Sequence, residues 1–269
     1  MLCKLNNRTL LRLSGTDAKG FLQAQLSNDI SKLNEGDVQL SAYCQHQGKI
    51  LALFWVMRDG DDFLLSFSRD LADAILPRLK MFVLMSDVVI EDITSEYMQI
   101  GHIDSAKDGV YLINPRLSVE IIKSVDANNI EFSNQDEWTK ACIETALAEI
   151  VHVTAEKLVP QMLNLDIDEI GVNFSKGCYP GQEVVARLHY LGKAKRRLFK
   201  FKTQTPVSVG DSLYCESSKS AKASGIVVSQ VKYEADFYCL ATLEVAHKDE
   251  IVNLNSAEGA ILTRIENDD

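Results

Sequence analysis

The apolar patterning of this 269-residue chain changes character near residue 196, and that change limits the folds open to it. Before it, helical and strand-like periods succeed one another. Ser14 and Asp17 are spaced as a capping box, and Phe21, Leu22, Gln25 and Leu26 follow at helical spacing. Residues 39–43 and 49–57 read as strands, and 63–67 pairs with the second across the turn Arg58-Asp59-Gly60-Asp61-Asp62. Ser68 is placed to cap a helix carrying Leu71, Ile75 and Leu79, which Pro77 should kink or end early. Short β-like runs follow at 88–92, 98–102, 110–113 and 117–122. Ser133 and Asp136 then open a helix with Trp138, Cys142, Thr145 and Leu147 as its inward residues. Helices and antiparallel strands in this order predict an α+β body and not a doubly wound parallel sheet. After Arg197 the runs at 198–202, 212–215, 225–231 and 237–243 are short strands between turns rich in Gly, Pro, Ser and Lys. That spacing predicts a small barrel or sandwich, so the expected division is a body at 1–195 and a β unit at 196–269.

The chain is long enough, and with 46% hydrophobic residues apolar enough, to bury a sizeable core. Its first residues, Met1 to Arg8, turn polar at once and do not read as a signal peptide. The longest apolar runs, such as 51–57, fall far short of a membrane span. Six cysteines (Cys3, Cys44, Cys142, Cys178, Cys215, Cys239) are scattered without paired spacing, which predicts reduced thiols in the cytoplasm. A self-contained iron–sulfur site wants several cysteines at short spacing, and Cys44-x-His46 has no second ligand pair, so no metal site is expected. A net charge of −10 disfavours non-specific nucleic-acid binding. Residues 186–202 run against that balance. They carry Arg187, Lys193, Lys195, Arg196, Arg197, Lys200 and Lys202 and no acid. Such an island suits a polyglutamate tail, a phosphate backbone or an acidic protein face, unless it is a solvated turn and strand edge.

The densest chemical signal is Lys176-Gly177-Cys178-Tyr179-Pro180-Gly181-Gln182-Glu183. Tyr-Pro-Gly is the chemistry of a type II turn, with φ fixed at proline and positive φ tolerated at glycine. From Gln182 onward, Val184, Val185, Leu188 and Leu191 keep helical spacing. Cys178 therefore precedes a helix N-terminus, whose dipole, with Lys176 and Arg187, favours a thiolate. A free cysteine is also read as a small apolar filler, though a core position rarely needs bracketing glycines and a Pro-Gly turn. Glu183 fits either as a charge at the helix N-terminus or as a hydrogen-bond partner of the Cys178 loop. Asp166, Asp168 and Glu169 form an acidic cluster ahead of the turn, either a solvated loop or a seat for a cationic group. There is no P-loop, dinucleotide fingerprint or serine-nucleophile motif.

The octapeptide resembles the signature of the YgfZ-type branch of the folate-binding family related to the glycine-cleavage aminomethyltransferase. The lead-in Val159-Pro160-Gln161, Asn164-Leu165 and Gly171-Val172-Asn173-Phe174-Ser175 is similar to that family's approach to its cysteine. The exit Val184-Val185-Ala186-Arg187 with Gly192-Lys193-Ala194-Lys195-Arg196, the stretch from Leu13 to Asp29, and Gly48-Lys49-Ile50-Leu51 extend the likeness over most of the chain. It implies a folate-binding body of two interleaved ferredoxin-like units followed by a C-terminal β-barrel. It further implies an accessory protein that binds tetrahydrofolate or a derivative and supports assembly or repair of iron–sulfur enzymes. Through a radical tRNA-methylthiolating enzyme, such support would reach tRNA modification. The family's functional cysteine maps onto Cys178, with Lys176 and Glu183 in the same motif. Trp138 matches a folate-contacting tryptophan, where core packing is the alternative; a flat ring suits a pterin. Arg8 stands where the family has its other folate-contacting aromatic, and Arg187 is grouped with these as a cofactor contact. The aminomethyltransferases carry a catalytic aspartate just after the glycine resembling Gly48, and this chain has Ile50-Leu51-Ala52-Leu53 there. A folate-dependent one-carbon transferase is therefore the alternative reading, and a tRNA- or protein-docking module using residues 187–202 the second.

Overall fold

A computed structural model describes residues 1–266 other than 85, 106, 129 and 218–222. The body runs through β1 (Leu2–Lys4), β2 (Arg8–Ser14), α1 (Ala18–Gln25), β3 (Val38–Cys44), β4 (Ile50–Asp59) and β5 (Asp62–Ser68). It continues with α2 (Ala72–Met81), β6 (Val89–Asp92), β7 (Tyr97–Ile103), β8 (Tyr111–Asn114), β9 (Leu117–Lys123), α3 (Gln135–Glu144) and α4 (Gln182–Tyr190). Two antiparallel sheets form, in the orders β3-β4-β5-β2-β6 and β1-β7-β9-β8. The α+β body is thus what the patterning predicts, and every run read as a strand there is one.

β4 is buried from Ile50 to Met57 because both of its faces are covered, which is why it reads as a continuous apolar run. Alternation along the strand divides its side chains between two cores. Phe54 and Val56 join the large core with Leu11, Leu22, Phe67 and Val185. Trp55 and Met57 face a second core with Leu10, Leu64, Val119 and Trp138.

The remaining strands, β10 (Arg196–Thr203), β11 (Ser212–Cys215), β12 (Gly225–Tyr233), β13 (Asp236–Glu244), β14 (Val252–Leu254) and β15 (Ile261–Ile265), close into a six-stranded barrel. Lys200 stands opposite Ile265 where β10 and β15 complete the ring, so no edge is left unpaired. Of barrel and sandwich, the barrel is formed. β14 and β15 escape a pattern reading because they are three and five residues long. Among the described residues, no helix is long and apolar enough to cross a membrane.

Four helix signals come out differently in the fold, in favour of local partners as well as distant ones. Ser14 and Asp17 form no capping box; Asp17 accepts instead from the Asp87 amide at 2.8 Å and gives α1 no side-chain cap. Ser68 does not cap α2 but donates to Asp70 at 2.9 Å, and a short 3₁₀ turn precedes the helix. Of the kink or early end expected at Pro77, the early end does not occur: α2 continues to Met81. Leu71, Ile75 and Leu79 are buried, and this apolar face outweighs a proline cost of about 3 kcal/mol. Asn134, not Ser133, caps α3 by accepting from the Asp136 amide at 3.1 Å.

One buried cation fastens the octapeptide to the body. The Lys176 ammonium donates to the carbonyls of Gln23 at 2.7 Å and Asn28 at 2.9 Å, and to that of Leu26. Burial pulls its pKa down to about 8 from an ordinary 10.5, against the pull of Asp29. Between those values the unfolded chain binds the extra proton, so this group makes stability rise with pH. Lys176→Met should cost about 1–3 kcal/mol by stranding buried carbonyls. It should also abolish that rise; urea unfolding of both proteins at pH 7.5 and 9.5 checks both expectations.

Candidate functional site

The octapeptide folds as its composition dictates. Gln182 donates its amide to the Tyr179 carbonyl at 3.2 Å, and Gly181 has φ 83° and ψ −1°, the third position of a type II turn. Gly181 is also the residue before α4, and no side chain fits there. A Cβ at Gly181 would lie 2.5 Å from the Gln45 carbonyl oxygen and 2.7 Å from the Gly48 Cα. Gly48, itself at φ +75°, closes the turn between β3 and β4 by donating to Gln45 at 2.8 Å. Two glycines in contact thus lay the octapeptide on the turn that feeds β4. Gln161 reaches across to the Val185 carbonyl of α4 at 2.7 Å, and Tyr179 is buried.

On this scaffold Cys178 is exposed, while Cys3, Cys44, Cys215 and Cys239 are buried and Cys142 is half-buried. Burial pushes the Cys44 and Cys239 thiols up to about 12, and that of Cys142 higher still. The neighbours expected beside Cys178 are otherwise engaged. Lys176 directs its protons to the carbonyls of residues 23–28. Glu183 and Arg187 pair with each other at 2.5 Å on the exposed side of α4, one turn apart. Such a pair contributes only a few tenths of a kcal/mol.

Arg8 and Trp138 come together in a separate chamber of about 50 Å³, with Trp55, Cys142, Leu147 and Glu149. Cys178, Lys176, Glu183 and Arg187 do not line it. The Arg8 guanidinium lies over the Trp55 ring, 3.4 Å from its centroid. It donates through Nε to the Ser66 hydroxyl at 2.7 Å, through Nη2 to the Ser66 carbonyl at 3.0 Å, and through Nη1 to Glu149. Burial pulls the guanidinium down and pushes the Glu149 carboxyl up, and their mutual attraction opposes both shifts. Trp138 meets Trp55 edge-on, with ring centroids 6.0 Å apart, and lies on Gly101, where a Cβ would come within 2.3 Å of the indole. Pattern reading missed Trp55 and Glu149. Trp55 left a trace, being the other of two tryptophans in the chain. Glu149, a single acid between Ala148 and Ile150, left none.

A second cavity, of about 400 Å³, also has Arg8 in its wall, with Lys4, Asn6, Arg69, Tyr97 and Gln99 and no carboxylate. The basic island is less free than its sequence suggests. Arg196 pairs with Glu244 at 3.0 Å, Arg197 pairs with Asp166 through both terminal nitrogens, and Arg187 is held by Glu183. The acidic cluster is divided likewise, since Glu169 accepts from Asn173 at 2.8 Å. Lys193 and Lys195 line a cleft of about 720 Å³ with Leu188, His189, Val245 and Ala246.

No protein-family model matches the chain. An uncharacterized protein of Haemophilus influenzae is 31% identical over 238 residues, spanning 86% of this chain and 84% of its own. The tRNA-modifying protein YgfZ of Escherichia fergusonii is 26% identical over 269 residues, spanning 87% and 82%. That of Aliivibrio fischeri is 26% identical over 266 residues, spanning 88% and 82%. Among solved structures, the glycine cleavage system aminomethyltransferase T of Bartonella henselae superposes with a TM-score of 0.74. It covers 98% of this chain at 14% identity, a likeness of fold. With relatives aligned along nearly the whole of both chains on an aminomethyltransferase fold, and with the octapeptide built as a type II turn, the chain belongs to the YgfZ family.

Proposed function

We propose that this protein is a folate-binding accessory factor that supports the assembly or repair of iron–sulfur enzymes and, through them, tRNA modification. Cys178 is its functional thiol in this reading. The observation that carries it is the contrast between Cys178, exposed on a turn two glycines make possible, and five cysteines wholly or partly buried. A filler cysteine has no use for that backbone, whereas a thiol offered to a macromolecular partner does.

Tetrahydrofolate or a derivative is the cofactor of this reading. The residue types around the chamber suit a pterin: Trp55 and Trp138 offer ring faces, and Glu149 accepts N–H donors of the kind an aminopyrimidine edge presents. A bound reduced folate supplies a one-carbon unit or a reducing ring. Arg8 takes both the Trp55 face and Glu149 in the present arrangement. The one-carbon transferase reading lacks its base, because Ile50 to Leu53 after the Gly48 turn are buried and apolar. For tRNA docking, three of the seven basic side chains at 187–202 are already paired within the chain, which limits the phosphates they can meet.

Complementation tests the assignment. In a strain lacking this gene, the wild-type chain should restore iron–sulfur enzyme activity and tRNA methylthiolation, and Cys178→Ser should not. Full restoration by Cys178→Ser would overturn the role of the thiol. Gly181→Ala keeps the thiol but forces a left-handed backbone on a side chain, at about 1–2 kcal/mol beyond its clash with Gln45. It should lower both thermal stability and complementation, and wild-type complementation at lowered stability would show that the turn is not needed to present Cys178.

A further inference from the structure

We propose that Arg8 is a displaceable gate dividing one channel into an aromatic chamber and a cationic antechamber. A flat heteroaromatic ligand with an anionic tail enters the chamber only when the guanidinium leaves Trp55. The identity of that ligand rests on the folate reading above, and the gate does not.

Arg8 is the residue common to the walls of both cavities. The two differ in character. One is faced by two indoles and a carboxylate; the other has Lys4, Arg69 and Gln99 in its wall and no acid. Among the described residues, neither Lys4 nor Arg69 makes an ion pair or a side-chain hydrogen bond. The aromatic chamber, at about 50 Å³, is far below the roughly 300 Å³ at the small end of ligand pockets. The Arg8 guanidinium occupies the Trp55 face that a ring would take. A guanidinium is flat, stacks on an indole face, and directs coplanar N–H donors at a carboxylate. Arg8 does each of these, to Trp55 and to Glu149. An aminopyrimidine ring would make the same two contacts, so the side chain stands in for the ring of a ligand.

Exchange then matches group for group at Trp55 and Glu149, while the Ser66 hydroxyl and carbonyl give up the Arg8 donors. The incoming ring replaces the guanidinium on Trp55, and its N–H edge replaces Arg8 at Glu149. The displaced cation needs a new counter-ion, because a lone buried charge costs several kcal/mol. The antechamber supplies cations and no anion of its own. Carboxylates on the ligand tail, seated beside Lys4 and Arg69, provide the charge that holds Arg8 there. A neutral ring without a tail cannot make that exchange, so the gate selects for the anionic class.

Both tryptophans of the chain line the chamber, so tryptophan emission, excited beyond the tyrosine absorption, reads this site alone. The test compares the full-length wild type with Arg8→Ala/Glu149→Gln, which avoids stranding a buried carboxylate, and with Arg8→Lys, which keeps the charge without the plane. Acrylamide quenching should be weak in the wild type, severalfold stronger in the double variant and intermediate in Arg8→Lys. Calorimetry with 5-formyltetrahydrofolate should show Arg8→Ala, which leaves the Glu149 carboxylate to the ring's N–H edge, binding about tenfold more tightly or better. Unchanged quenching in whichever variants retain native circular dichroism overturns the gate. Equal affinity of wild type and Arg8→Ala also overturns it and leaves the folate reading standing. Stronger quenching with no binding by any protein upholds the gate and removes folate as its ligand.

Discussion

β4 is buried on both faces from Ile50 to Met57, and this two-sided burial fixes where the thiol turn and the aromatic chamber lie. A strand covered on one face could serve only one core. Because β4 is covered on both, Phe54 and Val56 consolidate the large core while Trp55 forms the floor of the aromatic chamber. The turn that begins the same strand receives the octapeptide through the Gly48–Gly181 contact. The thiol turn and the aromatic chamber are therefore registered to one rigid element, although they use different stretches of it. Loops carry the chemistry and a strand fixes their positions, the usual division of labour in folded domains.

Two buried cations complete that arrangement, and they behave differently. Lys176 ends on three main-chain carbonyls that no ligand can replace without unfolding the end of α1. It is a fastening. Arg8 ends on the Glu149 carboxylate and the Trp55 face as well as on Ser66, and in the gate proposed above a flat ligand takes the first two. The difference lies in the acceptors and not in depth, since both side chains are buried.

Much of this was legible in the sequence. The strand runs of the body, the type II turn at Tyr179-Pro180-Gly181 and the helix after it follow from short-range sterics and periodicity, which a sequence displays directly. Signals whose partner lies far along the chain were not legible. Ser14 and Asp17 look like a cap until Asp87, seventy residues on, supplies a better partner for Asp17. Pro77 looks like a helix end until tertiary burial of Leu71, Ile75 and Leu79 outweighs it. The basic island looks free until Asp166 and Glu244 are folded against it. Trp138 and Arg8 were reached through resemblance, but the stack of Arg8 on Trp55 and its pair with Glu149 join residues up to 141 positions apart. No local pattern encodes such a meeting.

This fold presents the Cys178 thiol and buries those of Cys3, Cys44, Cys215 and Cys239. Site-resolved alkylation of the native protein, read by mass spectrometry over time, separates the two groups. Cys178 should be modified first and at the rate of an accessible thiol, with Cys3, Cys44, Cys215 and Cys239 untouched until the protein unfolds. Protection of Cys178, or labelling of the buried cysteines at the same rate, would show that the fold makes no such selection among its thiols.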